Sequence, residues 1–104
     1  MSAPWNPPKR GEDFEFSTTL EDMNSPGSFK ANPTIAAGDF KISKDEGAFA
    51  NLATLPTVTP AGGVQVIVKI SATENTADKW LVTWIDQTAP KEWADGSLGL
   101  LTTA

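Results

Sequence analysis

The chain has 104 residues, a net charge of −5, 39% hydrophobic residues, no cysteine and no histidine. That length suits one domain with a modest core, and the missing residue types exclude disulfides, thiolate metal sites and the commonest general base. Lys9-Arg10 is the only adjacent basic pair, so no concentrated positive surface awaits phosphates, and no stretch nears the ~20 apolar residues that span a bilayer.

Met1–Pro8 lacks the apolar centre of a signal peptide. Pro4, Pro7 and Pro8 deny regular hydrogen bonding, so residues 1–11 read as an extended N-terminal arm and 12–104 as the folded domain. Trp5 sits within this arm. Two readings are open for it: it covers an edge of its own core, or it plugs a pocket on a neighbouring subunit, as tryptophan often does at interfaces.

From residue 12 the pattern is strand after strand. Across Glu12–Leu20, Phe14, Phe16, Thr18 and Leu20 share one face, a period of two with β-formers throughout. Glu21–Gly27 is a loop, with a short extended piece expected at Ser28–Ala31. Gly38–Ser43 puts Phe40 and Ile42 on one face. Lys44-Asp45-Glu46-Gly47 reads as a hairpin turn with Gly47 available for positive φ, and Ala48–Leu52 as its irregular returning strand. Leu55 and Val58 lead to the breaker Pro60-Ala61-Gly62-Gly63. Val64–Ile70 then alternates cleanly, with Val64, Val66, Val68 and Ile70 together. Ser71–Asp78 is polar and predicts a short helical turn. Lys79–Asp86 has Trp80, Val82 and Trp84 on one face and Leu81, Thr83 and Ile85 on the other, the mark of a central strand or one covered on both sides. Gln87–Asp95 connects to a last strand over Ser97–Thr103, interrupted by Gly99.

About six or seven short strands with turns every eight to twelve residues predict an all-β antiparallel sandwich. An immunoglobulin-like sandwich is the first choice. With neither cysteine nor tyrosine, it has no inter-sheet disulfide and no tyrosine corner, so its core rests on Phe, Trp, Val, Ile and Leu. Each large apolar side chain contributes roughly 1.5–3 kcal/mol when fully buried.

Little in the sequence carries catalysis. Glu12-Asp13, Glu21-Asp22 and Asp45-Glu46 are adjacent acids in or near loops, where solvated turns are the ordinary outcome. Asp45 and Glu46 lack the spacing of a calcium loop. Gly62-Gly63 lacks the lysine and helix of a phosphate cradle. No enzyme, cofactor or metal site is expected. Trp80 and Trp84 stand about 13 Å apart at strand rise. Val82 between them favours a core face over a sugar-stacking platform, and Trp93 is either a lid on the core or an interface anchor.

The run Ala31-Asn32-Pro33-Thr34-Ile35-Ala36-Ala37-Gly38-Asp39-Phe40-Lys41-Ile42-Ser43-Lys44-Asp45 resembles small domains of tailed-bacteriophage virion proteins. So do Gly47–Pro60, the valine strand Val64–Ile70, the turn Ser71–Glu74, Ala77-Asp78, and the opening Pro7-Pro8-Lys9-Arg10-Gly11 before Phe14 and Phe16. The acidic, cysteine-containing ending usual in that family is replaced here by Lys91-Glu92-Trp93-Ala94-Asp95. The resemblance implies an immunoglobulin-like fold and a structural place in the virion, assembled in the host cytoplasm.

The resulting expectation is a non-enzymatic capsid decoration or cement protein, present in multiple copies or as a homo-oligomer. Its partner would be the major capsid protein or other virion proteins, not nucleic acid or membrane. The candidate contact residues are Trp5, Pro7, Pro8, Lys9, Arg10 and Trp93. A tail, neck or baseplate component is the alternative. A carbohydrate-binding module is a further one and requires Trp80, Trp84 or Trp93 to be exposed.

Overall fold

A computed structural model describes residues 8–103. Seven strands follow in order: β1 (Phe14–Thr18), β2 (Phe40–Lys44), β3 (Ala50–Asn51), β4 (Thr57–Thr59), β5 (Gln65–Ile70), β6 (Lys79–Trp84) and β7 (Gly96–Leu101). There is no helix among the described residues. The strands form two antiparallel sheets, β1-β5-β4 and β3-β2-β6-β7. In immunoglobulin lettering these are B-E-D and C′-C-F-G, with no strand A in the first sheet among the described residues. The all-β sandwich expected from the strand rhythm is therefore present.

Alternation decides which side chains meet between the sheets. Val66, Val68 and Ile70 of β5 are buried with Phe40 and Ile42 of β2 and Trp80, Val82 and Trp84 of β6. Phe14 and Phe16 of β1 pack against them, partly buried. Aromatic rings form an unbroken row through this core. Phe14 and Phe16 lie 5.9 and 6.1 Å from Trp80, Phe16 lies 6.5 Å from Trp84, and Phe40 lies 5.5 Å from Trp84 and 5.9 Å from Trp93. These separations suit the tilted and offset packing that aromatic quadrupoles favour.

The structure departs from the sequence reading in three places. Gly47 does not take the positive φ of its turn; Asp45 and Glu46 do, at 50° and 65°. Both central residues of a tight turn are then left-handed, the arrangement that matches the twist of paired strands. The carboxylate of Asp45 accepts the N–H groups of Asp78 and Lys79 at 3.0 and 3.2 Å, which ties the turn to the start of β6. Secondly, Thr57–Thr59 is a strand, paired to Gln65–Ile67. Three residues with one apolar side chain show no readable period, so only the pairing to β5 reveals it. Thirdly, Pro8–Gly11, the end of the extended N-terminal arm, are bonded to the folded domain. Pro8 is fully buried, Arg10 N–H donates to the Thr103 carbonyl at 2.9 Å, and Gly11 N–H donates to the Asn75 carbonyl at 2.7 Å.

Candidate functional site

In a chain without histidine or cysteine, a desolvated acid is the remaining route to chemistry. Each buried carboxylate, however, has a structural task. Asp39 accepts the N–H groups of Ala36 and Gln87 at 2.9 and 3.1 Å. Glu74 accepts those of Ala53 and Ser71 at 2.8 and 2.9 Å. Asp86 accepts those of Thr88 and Glu92 at 2.9 and 2.7 Å. Burial opposes the charge of Asp86 most strongly. The N–H donors of Glu92, Thr88 and Trp93 and the Thr88 hydroxyl together outweigh it, so the carboxyl is held below the usual carboxylate range. These acids clip turns to the sheets. Among the described residues no three acidic side chains converge on a point where a metal ion would sit. No buried side-chain nitrogen or oxygen among them lacks a partner.

The predicted contact residues fall in three places. Trp5 and Pro7 lie outside the described residues. Pro8, Lys9 and Arg10 come together beside the end of β7. Lys9 bridges Thr103 in parallel, the Pro8 carbonyl accepts Thr103 N–H at 2.9 Å, and the Arg10 guanidinium pairs with Asp78. Trp93 lies at the opposite end of β6, 0% exposed. Its ring packs on Phe40 and its indole N–H reaches the Thr34 carbonyl at 3.3 Å. Of the two readings of Trp93, the structure supports the core residue and removes the interface anchor. Glu21 and Asp22 account for this. Asp22 bridges Trp93, and the Glu21 carbonyl accepts Ala94 N–H at 3.0 Å, which pulls the loop inward. Trp80 and Trp84 are likewise buried. None of these three indoles offers a face on which a sugar ring can stack.

What does stand exposed is the outer face of the four-stranded sheet. Leu81 and Ile85, in and just after β6, are 38% and 41% exposed, and Leu101 of β7 is 71% exposed. Of the two readings of the apolar second face of Lys79–Asp86, the structure supports the first: β6 is a central strand, between β2 and β7, and that face is not covered by any described residue. Leu81, Gly99 and Leu101 line a groove of about 300 Å³ with Ser43, Lys79 and Glu46. At its rim the Lys79 ammonium lies 2.8 Å from the Glu46 carboxylate. That hydrogen-bonded ion pair holds the Glu46 carboxyl below, and the Lys79 ammonium above, their usual ranges.

The same face ends in an edge that no described residue pairs with between Gly96 and Leu101. Thr102 N–H bonds the Asp78 carbonyl on the β6 side. With Lys79 opposite Leu101 and Leu81 opposite Gly99, the ladder alternates so that Ser97, Gly99 and Leu101 turn their N–H and C=O groups away from β6. No described residue pairs with them. β7 reads Gly-Ser-Leu-Gly-Leu-Leu, without the lysine or proline that usually protects an edge strand. Sequence reasoning missed this edge. The available signal was the lack of any charge in 96–101 beside the apolar outer positions of β6.

Comparison with protein-family models, with curated proteins and with solved structures finds no match to this chain.

Proposed function

We propose that this chain is a non-enzymatic structural component of a tailed-bacteriophage virion. In that role it would be a capsid decoration or cement protein that acts through protein contacts made by the outer face of β2-β6-β7 and the adjoining edge of β7. The observation that carries the contact-surface reading is the continuity of the apolar groove with an uncharged strand edge that is unpaired among the described residues. Exposed apolar side chains beside an unprotected strand edge are a ready contact surface for a partner. Strand addition at such an edge supplies main-chain hydrogen bonds to a partner. The resemblance carried by the runs between Ala31 and Asp78 supports the virion setting. The commitment of every buried carboxylate to turn geometry supports a scaffold over an enzyme. Repetition of one modest contact over a symmetric shell turns weak binding into firm attachment.

Cross-linking mass spectrometry on purified particles tests the placement. Links from Lys79 or Lys41 to the major capsid protein, with hundreds of copies per particle, are expected. Links confined to tail or baseplate proteins would move the chain there instead.

A further inference from the structure

Residues 20–30 form a small hairpin beside the loop that holds Trp93. Ser28 N–H donates to the Ser25 carbonyl at 3.0 Å and Gly27 holds φ at 90°, the type II turn that the pair Pro26-Gly27 favours. Glu21 and Phe29 face each other across the hairpin. Asp22 N–H donates to the Ser28 carbonyl at 2.9 Å, and Lys30 N–H to the Leu20 carbonyl at 2.6 Å. These bonds lie on either side of the Glu21–Phe29 pair, so Phe29 turns its own N–H and C=O away from the hairpin. No described residue bonds them.

The side chains at this edge are uncommitted as well. The Phe29 ring is 62% exposed and packs on no other aromatic ring among the described residues. Glu21, directly opposite on the same side, makes no ion pair among them. Its Oε2 accepts Gly27 N–H at 3.0 Å, which orients the carboxylate and leaves Oε1 to a ligand. With Thr19, Gly27 and Ser28, these two side chains line a groove of about 270 Å³.

We propose that this groove binds an arginine side chain carried by an extended segment of a partner protein. The backbone of the segment bonds the outward N–H and C=O of Phe29. Its arginine, at the residue opposite Phe29, lies across the ring and reaches the Glu21 carboxylate. The two α-carbons then stand two strand spacings apart, roughly 10 Å, a span that arginine and glutamate side chains close between them. The guanidinium is the group that fits. It is planar, stacks on an aromatic face and meets a carboxylate with two parallel N–H donors. A lysine ammonium is a more strongly hydrated point charge and matches the ring face and the paired oxygens less closely. The net charge of −5 favours the approach of a basic segment. This site leaves the Leu81–Leu101 groove and the β7 edge to the contacts described above, and it does not rest on the virion reading.

Solution NMR on the full chain tests the site with a capped pentapeptide whose central arginine is flanked on each side by valine and then threonine. Saturable shifts confined to Thr19–Lys30 are expected, largest at the Phe29 amide, with the arginine δ-protons moved upfield by the Phe29 ring. Citrulline in place of the arginine keeps the shape, removes the charge and should weaken binding about tenfold. Glu21→Gln should weaken the arginine peptide to the same level; glutamine keeps an oxygen for Gly27 N–H, and an unshifted Trp93 indole signal reports that the hairpin is intact. The citrulline comparison needs no variant and stands whether or not Glu21→Gln folds. Equal affinity for the two peptides would overturn the proposal. So would shifts centred on β6 and β7, or a Phe29 amide that does not move at millimolar peptide.

Discussion

The side chain of Asn75, fully buried, accepts the indole N–H of Trp80 at 2.9 Å. Its amide nitrogen donates to the carbonyls of Lys9 and Glu12 at 2.8 and 2.9 Å. One residue in the turn before β6 thus fixes the central tryptophan of the core and the entry of the N-terminal segment together. Asn75 N–H closes the same turn on the Ser71 carbonyl at 2.9 Å, a single helical turn of the kind expected for Ser71–Asp78.

Asn75→Ala should therefore cost roughly 1–3 kcal/mol, because it leaves the buried indole N–H of Trp80 unpaired and removes the donor that ties down the Lys9 and Glu12 carbonyls. Urea unfolding measures the loss. Hydrogen exchange should show the amides of Arg10 and Gly11 opening before those of β5. An unchanged midpoint would mean that water replaces the amide without penalty.

Two glycines of β7 should respond differently to alanine. A Cβ on Gly96 would overlap Trp84 Nε1, whereas the nearest atom to a Cβ on Gly99 is at 3.4 Å. Gly96→Ala must displace a buried indole and should destabilise by about 1–3 kcal/mol. Gly99→Ala should change stability little. Thermal unfolding of the pair checks the contrast, and equal shifts would contradict it.

Asp86 should govern part of the acid limb of stability. Its folded-state carboxyl titrates below the ordinary value of 3.8, so its contribution is complete above that value and is lost as pH falls through the folded pKa. Asp86→Asn replaces an acceptor of N–H groups with a side chain that presents its own donor to one of them. It should cost roughly 1–3 kcal/mol at neutral pH, with the gap to the unmodified protein narrowing in acid. A gap that stays constant from neutral pH into acid would remove Asp86 from this role.

The turn between β2 and β3 offers an opposite pair of effects. Glu46 holds φ at 65° with its carboxylate engaged only by the exposed Lys79, so Glu46→Gly should raise the melting temperature by relieving a left-handed residue. Asp45 is equally left-handed, but its carboxylate holds the N–H groups of Asp78 and Lys79. Asp45→Gly should lower the melting temperature despite the same backbone relief.

Alternation makes the inward faces legible in the sequence: Phe14 and Phe16, Val66 to Ile70, and Trp80 to Trp84 all point where period two places them. Features set by partners are not legible there. Thr57–Thr59 is a strand only because β5 lies beside it. Trp93 sits in a loop by sequence, and it is buried because Asp22 bridges to it from a distant loop. The candidate site is half visible. The apolar outer positions Leu81 and Ile85 are apparent, but their exposure and the place of β7 at the edge of its sheet depend on sheet order, which no local pattern encodes.

The most direct test of the central claim is a cryo-EM reconstruction of a particle that carries this chain, resolved well enough to trace β7. The account predicts many symmetric copies on the shell, each with Leu81, Leu101 and the β7 edge turned toward a virion neighbour. Copies attached through the opposite sheet, β1-β5-β4, with the Leu81–Leu101 face open to solvent, would contradict it.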